Sequence, residues 1–113
     1  MSIKKVVRPL SKGLTDMSVY MIIDSKVKDG GKYRQYIDQV SLIVTKYGGR
    51  YHVRGGEIRP LGTWKPERII VLEFPTENHI KKWLASPEYK AIAPLREEGA
   101  STQAILVDGY LNE

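Results

Sequence analysis

The sequence predicts an α+β domain: an antiparallel four-stranded sheet with its helices on one face. Three observations predict it. Short apolar runs of strand character alternate with segments whose apolar residues recur at three- and four-residue steps. The resulting order is strand, helix, strand, strand, helix, strand, the ferredoxin-like arrangement. The chain's 113 residues, 42% of them hydrophobic, suffice for one core and not for two.

The first strand is the apolar run Ser18 to Asp24, which gives way to a polar stretch around Asp29-Gly30-Gly31. From Lys32 the period changes. Tyr33, Tyr36, Ile37, Val40, Ile43, Val44 and Tyr47 mark one face of a helix, and Gly48-Gly49 stops it, because glycine takes the left-handed cap without steric cost. Arg50 to Glu57 alternates Tyr51 and Val53 with His52 and Arg54, the pattern of a strand with unlike faces. Gly55-Gly56 weakens or bends that strand. Ile58 to Glu67 is a loop with Trp64 in its middle, and Arg68 to Phe74 is a central strand, apolar on both faces except at Glu73.

Pro75 closes the third strand and Thr76 caps a short helix, with Glu77 in its first turn and Ile80, Trp83 and Leu84 on its apolar side. Ser86-Pro87-Glu88 restarts helix, Ile92 and Leu95 continue it, and Gly99 ends it. Pro94 falls inside this pattern and is expected to kink or divide the helix near Ala93. Thr102 to Tyr110 is the last strand. Strands one and three are then the central pair. Tyr20, Ile22, Ile69, Val71, Ile105 and Val107 supply apolar residues to whichever face the helices leave bare, so that face needs a second cover. Another copy of the chain is the simplest one.

Composition narrows the function classes. There is no cysteine, hence no disulfide framework, thiolate nucleophile or Cys-ligated zinc, and a cytoplasmic setting is expected. No apolar run is long enough to span a membrane, and Arg8, Lys12 and Asp16 interrupt any signal-peptide core. The net charge of +5 is uneven: residues 1–17 carry Lys4, Lys5, Arg8 and Lys12 against Asp16 alone. We read 1–17 as a basic leader, dispensable for folding, and 18–113 as the domain. The leader lacks the dense basic run interleaved with aromatics that nucleic acid requires, and the third strand is mainly aliphatic where RNA-recognition modules carry base-stacking aromatics. No nucleic-acid partner and no membrane partner is expected.

Several motifs stand in a distinctive order: Tyr47-Gly48-Gly49-Arg50-Tyr51-His52-Val53-Arg54-Gly55-Gly56, then Gly62-x-Trp64-x-Pro66, Val71-Leu72-Glu73-Phe74-Pro75, Trp83-x-x-Ser86-Pro87-Glu88-Tyr89, and Arg96. On these residues the chain, over about 18–110, resembles the domain-of-unknown-function family numbered 1330, in the dimeric α+β barrel superfamily. The resemblance implies the fold and a homodimer whose two sheets pack face to face. It implies no reaction, although the wider superfamily includes cofactor-free monooxygenases and isomerases of small aromatic or lactone compounds. Position 52 is often aliphatic in that family, so a catalytic role for His52 is not inherited.

Candidate chemistry centres on Arg54 and Glu73, charged residues that interrupt apolar strands. Charges are rarely buried unless paired, so a mutual ion pair or a polar ligand is expected. In the functional version Arg54 holds a carboxylate, enolate or phenolate while Glu73 orients it. Folding the second and third strands about Gly62-Thr63 places Arg54 and His52 on the face of Glu73 and Val71, unless a bulge shifts the parity. His52 is a candidate general base by its near-neutral titration, or simply a polar strand residue. Tyr20, Tyr51, Trp64, Trp83 and Tyr89 offer apolar walls with polar tips; for Trp83 and Tyr89, core packing is the better account. Trp64, in a loop, suits a lid or a grip on a partner. Arg96 faces either the same pocket or solvent. His52 and His79 lack metal-ligand spacing, so neither metal nor cofactor is expected. The ligand-binding set is thus Arg54, Glu73, Tyr20, Trp64 and Arg96. It points to a small-molecule binder or cofactor-free enzyme for an aromatic, enolic or lactone-like compound. The alternative is a non-catalytic dimeric module whose polar core residues serve assembly.

Overall fold

The computed structural model describes residues 18–110, and the basic segment 1–17 and its expected dispensability lie outside them. Strands β1 (Val19–Val27), β2 (Arg50–Arg54), β3 (Arg68–Phe74) and β4 (Ala100–Asp108) form one sheet in the order β2-β3-β1-β4. Every neighbouring pair is antiparallel, and β1 and β3 are central. Helix α1 (Gly30–Lys46) joins β1 to β2. Two helices, α2 (Glu77–Ala85) and α3 (Pro87–Gly99), join β3 to β4. The fold is the ferredoxin-like α+β arrangement.

Local chemistry sets the helix ends. Asp29 caps α1 by accepting from Lys32 N at 3.1 Å, which starts the helix two residues before its apolar period becomes visible. At the other end Gly48 has φ +93°; Gly48 N donates to Thr45 O at 3.1 Å and Gly49 N to Val44 O at 2.9 Å. Both bonds satisfy carbonyls that the last turn would leave open. Thr76 and Ser86 cap α2 and α3 through His79 N and Tyr89 N. Pro94 does not divide α3, which runs unbroken from Pro87 to Gly99. Its exposed position there keeps the ring clear of the core.

One sheet face packs on the helices. Val19, Ile70, Leu72 and Phe74 meet Tyr33, Tyr36, Val40 and Val44 of α1, Ile80 and Trp83 of α2, and Tyr89 and Ile92 of α3. Phe74, fully buried, lies along the indole of Trp83 with ring centroids 5.4 Å apart. Leu84, expected on the apolar side of α2, is instead exposed. The opposite face carries Tyr20, Ile22, Ile69, Val71, Ile105 and Val107 and has no covering element among the described residues. Ile105 is 61% exposed.

Candidate functional site

The geometry of β2 decides where the candidate residues go. Arg50 and Tyr51 oppose Glu73 and Leu72, but Val53 and Arg54 oppose Val71 and Ile70, so the register slips by one at His52. A bulge sets two residues of one strand against one of the other. Beyond it the alternation of faces inverts. His52 therefore joins Glu73 as expected, its Nε2 2.7 Å from Glu73 Oε1, whereas Arg54 does not. Arg54 emerges on the helix-covered face, opposite Ile70, and Glu73 on the bare one. The expected Arg54–Glu73 ion pair does not form, and the single pocket built on it separates into two regions.

The first region is a cleft between the sheet and the helices. Arg54 enters it from β2, Arg68 from the start of β3 and Arg96 from α3. Tyr33 and Tyr36 of α1, Tyr51 of β2 and Trp83 of α2 form its aromatic walls. Each guanidinium is placed. Arg54 Nη2 donates to Ile37 O at 2.9 Å, and its Cζ lies 4.7 Å from the Tyr51 ring centroid. Arg68 sits over Tyr33 at 5.6 Å. It occupies the space that a side chain on residue 55 would fill, since a Cβ on Gly55 would fall 2.1 Å from Arg68 Nη1. Both aromatic contacts are within cation–π range. Arg96 Nε donates to Tyr89 Oη at 3.2 Å and its Nη1 to Thr102 Oγ1 at 2.7 Å. Tyr89 Oη in turn shares a 3.0 Å hydrogen bond with Tyr36 Oη.

This cleft is rich in donors. No carboxylate and no histidine is among its lining residues, and no carboxylate among the described residues lies within 4.0 Å of Arg54 or Arg68. Burial pushes the Tyr51 phenol up, against the pull of Arg54 and Arg68. Burial pushes Tyr36 up much further, with Tyr89 adding to it. Both phenols remain protonated at neutral pH and can donate. Two further donors, Arg68 Nε and Trp83 Nε1, are buried and reach no hydrogen-bond partner. The enclosed space is about 40 Å³, whereas a cavity that holds benzene measures roughly 150 Å³. That volume is too small for an aromatic ring, and Arg54, one of the lining residues, is exposed to solvent.

The second region lies on the bare face. His52 stands 5.5 Å from the Tyr20 ring, and Arg50 Nε is 3.7 Å from Glu73 Oε1. A hydrogen bond from Ser18, then one from His52, holds the Glu73 carboxyl below the usual carboxylate range. Trp64, 63% exposed, overhangs a hollow of about 340 Å³ walled by Ile22, Asp24, Ile69 and Ile105. Tyr20, Glu73 and Trp64 thus share a face with each other and not with Arg54 and Arg96. His79 shares a 2.8 Å hydrogen bond with Thr76 in the cap of α2. Among the described residues no cluster of metal-ligating side chains occurs.

Arg68, Tyr33 and Tyr36 complete the cleft and are not among the candidate site residues that the sequence offers, the two tyrosines standing there only as part of a helix face. A signal existed for each. Arg68 shares the parity of Ile70, Leu72 and Phe74, so it had to point where the core is. The two tyrosines carry hydroxyls on the buried stripe of α1, where a partner is required.

Comparison with known proteins agrees with this architecture. The family profile described as "Domain of unknown function (DUF1330)" matches residues 18–110. No curated protein matches the chain. Among solved structures, RPA0582 of Rhodopseudomonas palustris, of unknown function, superposes with a TM-score of 0.72 at 13% identity, over 84% of each chain. SnoaB of Streptomyces nogalater, a cofactor-independent oxygenase, gives 0.59 at 12% identity, over 85% of this chain and 96% of its own. A dimeric ferredoxin-like protein of unknown function from Thermobifida fusca gives 0.54 at 14% identity, over 80% and 90%. Likeness at these identities shows the fold. No helix among the described residues is long and apolar enough to cross a membrane.

Proposed function

The chain belongs to the DUF1330 family, and from that premise we propose that it binds, and as a cofactor-free enzyme transforms, a small anionic compound of aromatic, enolic or lactone-like character in the cleft between sheet and helices. The observation that carries this reading is the lining itself: three arginines, tyrosine hydroxyls and an indole N–H, with no carboxylate among the lining residues and, among the described residues, only the exposed Glu97 near any of the three, 3.9 Å from Arg96. Like charges gathered in a partly dry cleft repel one another, so an anion entering it relieves that repulsion and gains charge-assisted hydrogen bonds. The same donors stabilise negative charge that develops on an enolate or phenolate oxygen. No lining side chain is suited to remove a proton at neutral pH. The substrate accordingly arrives ionised, or is acidic enough to ionise in the field of the arginines. The cofactor-independent oxygenase that shares the fold supports the reading as an analogy.

The proposed working form is a homodimer, as the dimeric ferredoxin-like neighbour suggests; the uncovered apolar residues of the bare sheet face are the surface proposed to close it. The His52–Glu73 contact on that face favours a second reading, in which polar residues serve assembly alone. A thermal-shift screen of small aromatic acids, quinones and lactones separates the two. We expect an acid or enol to raise the melting temperature of the wild type and to have no effect on Arg54→Ala. No hit in the screen, with loss of the dimer in His52→Ala, would leave the assembly reading standing.

A further inference from the structure

Tyr51 and Arg54 stand three residues apart, and in an unbroken strand they would face opposite ways. The bulge at His52 sets both on the helix-covered face, opposite Leu72 and Ile70. There they meet: the Arg54 guanidinium carbon lies 4.7 Å from the Tyr51 ring centroid. Both line the cleft, and both are open to solvent. Arg54 is exposed, and the bond from its Nη2 to Ile37 O leaves Nε and Nη1 without a partner among the described residues. Tyr51 is half-buried, and its hydroxyl takes no hydrogen-bond partner among the described residues yet is not sealed from solvent. The ring packs on the core and carries the guanidinium; the fold makes no use of the hydroxyl. Burial keeps that phenol protonated against the fields of Arg54 and Arg68, so it is a donor.

We infer that Tyr51 and Arg54 form a two-donor clamp for one carboxylate, which gives one oxygen to the guanidinium and the other to the Tyr51 hydroxyl. The inference rests on the cleft being an anion site and adds the head group it selects and the residue that selects it. A carboxylate whose two oxygens each accept at about 2.8 Å bridges donors up to about 7 Å apart. The guanidinium and the phenol ring are nearer to each other than that. A phenolate has one oxygen; it serves the arginine and leaves the Tyr51 hydroxyl to water. Removing one hydrogen bond to a charged acceptor lowers affinity by about tenfold.

The test titrates the wild type, Tyr51→Phe and Arg54→Lys with 3-phenylpropionate and with pentafluorophenolate, both ionised at about pH 8, and with 3-phenylpropionamide as the neutral control. Because the hydroxyl has no partner in the fold, Tyr51→Phe is expected to melt as the wild type does and to bind 3-phenylpropionate about tenfold more weakly. Pentafluorophenolate is expected to bind the wild type no better than Tyr51→Phe. Carbon-13 spectra of ring-labelled tyrosine report the clamp with Tyr51 in place, its signal being the one that Arg54→Lys displaces when the guanidinium leaves the ring. The carboxylate is expected to move that signal and the amide to leave it. An unmoved Tyr51 signal with equal carboxylate affinity in Tyr51→Phe overturns the clamp while leaving an anion site, as does an equal loss for both anions. A wild type that binds neither anion overturns the clamp together with the cleft reading. Because the carbon signal is read in the wild type, a folding defect in Tyr51→Phe does not block the test.

Discussion

Glu73 is the residue through which acid reaches the bare face of the sheet. Its carboxyl titrates lower in the fold than its ordinary value of 4.5, because Ser18 and then His52 hydrogen-bond the charged form, and partial burial only offsets this. A carboxyl depressed by folding adds stability above its unfolded pKa and loses it as pH falls through the folded value. Glu73→Gln should therefore unfold in urea with a shallower dependence on pH below about 4.5 than the wild type. Parallel curves for the two proteins would remove Glu73 from the acid response. At this scale the sequence was half legible. Charged residues inside apolar strands marked Arg54 and Glu73 as unusual, and His52 was placed beside Glu73. The side of Arg54 was not legible, because it depends on a bulge at His52 that costs one residue of register and leaves no mark in composition.

At the scale of elements, the helices are joined at both ends. Lys46 and Tyr47, at the end of α1, hold Glu88 in the first turn of α3, and these contacts pull its carboxyl down to about 2. At the other end Gly99 touches α1 directly. Its carbonyl accepts from Lys28 N and Asp29 N at 2.7 and 3.1 Å, and a Cβ there would lie 2.7 Å from Tyr33 N and 2.9 Å from its Cα. Backbone atoms cannot step aside as a flexible side chain can. Gly99→Ala is expected to cost about 1–3 kcal/mol by overpacking, read from the urea midpoint. Because Tyr33 moves with that backbone, ligand affinity should fall as well. An unchanged midpoint would mean that the crossing of α1 and α3 is looser than its geometry implies. The ends of these helices were readable in advance at Gly48, Thr76, Ser86 and Gly99, where one residue type has one local job. The meeting of Gly99 with Tyr33 was not, since the partners are distant in sequence.

At the scale of the molecule, the sheet has one face too many for a single layer of helices. Tyr20, Ile22, Ile69, Val71, Ile105 and Val107 present an apolar patch of a kind that marks protein contact surfaces. The proposed homodimer predicts a sedimentation coefficient of two chains at micromolar concentration. Ile105→Arg, on an edge strand and already exposed, should then sediment as one chain with an unchanged circular dichroism spectrum. A wild type that remains a monomer would overturn the dimer, and with it the role of Trp64 as a grip on the partner. Strand order and the surplus apolar face were both legible in the sequence, because periodicity and burial are properties of whole segments.

The slip at His52 has a consequence in the currency of genes. Removing that one codon would let Tyr51, Val53 and Arg54 pair in plain alternation with Leu72, Val71 and Ile70, the partners they already have. Arg54 would keep its place in the cleft, while the bare face would lose its imidazole. A loss of three nucleotides there would thus leave the proposed ligand cleft unaltered and be felt only by whatever meets the other side of the sheet. An insertion of one codon on the Arg54 side of the slip would do the reverse, turning the guanidinium out of the cleft. In this strand, length at position 52 governs the side of Arg54 as firmly as residue identity governs its charge.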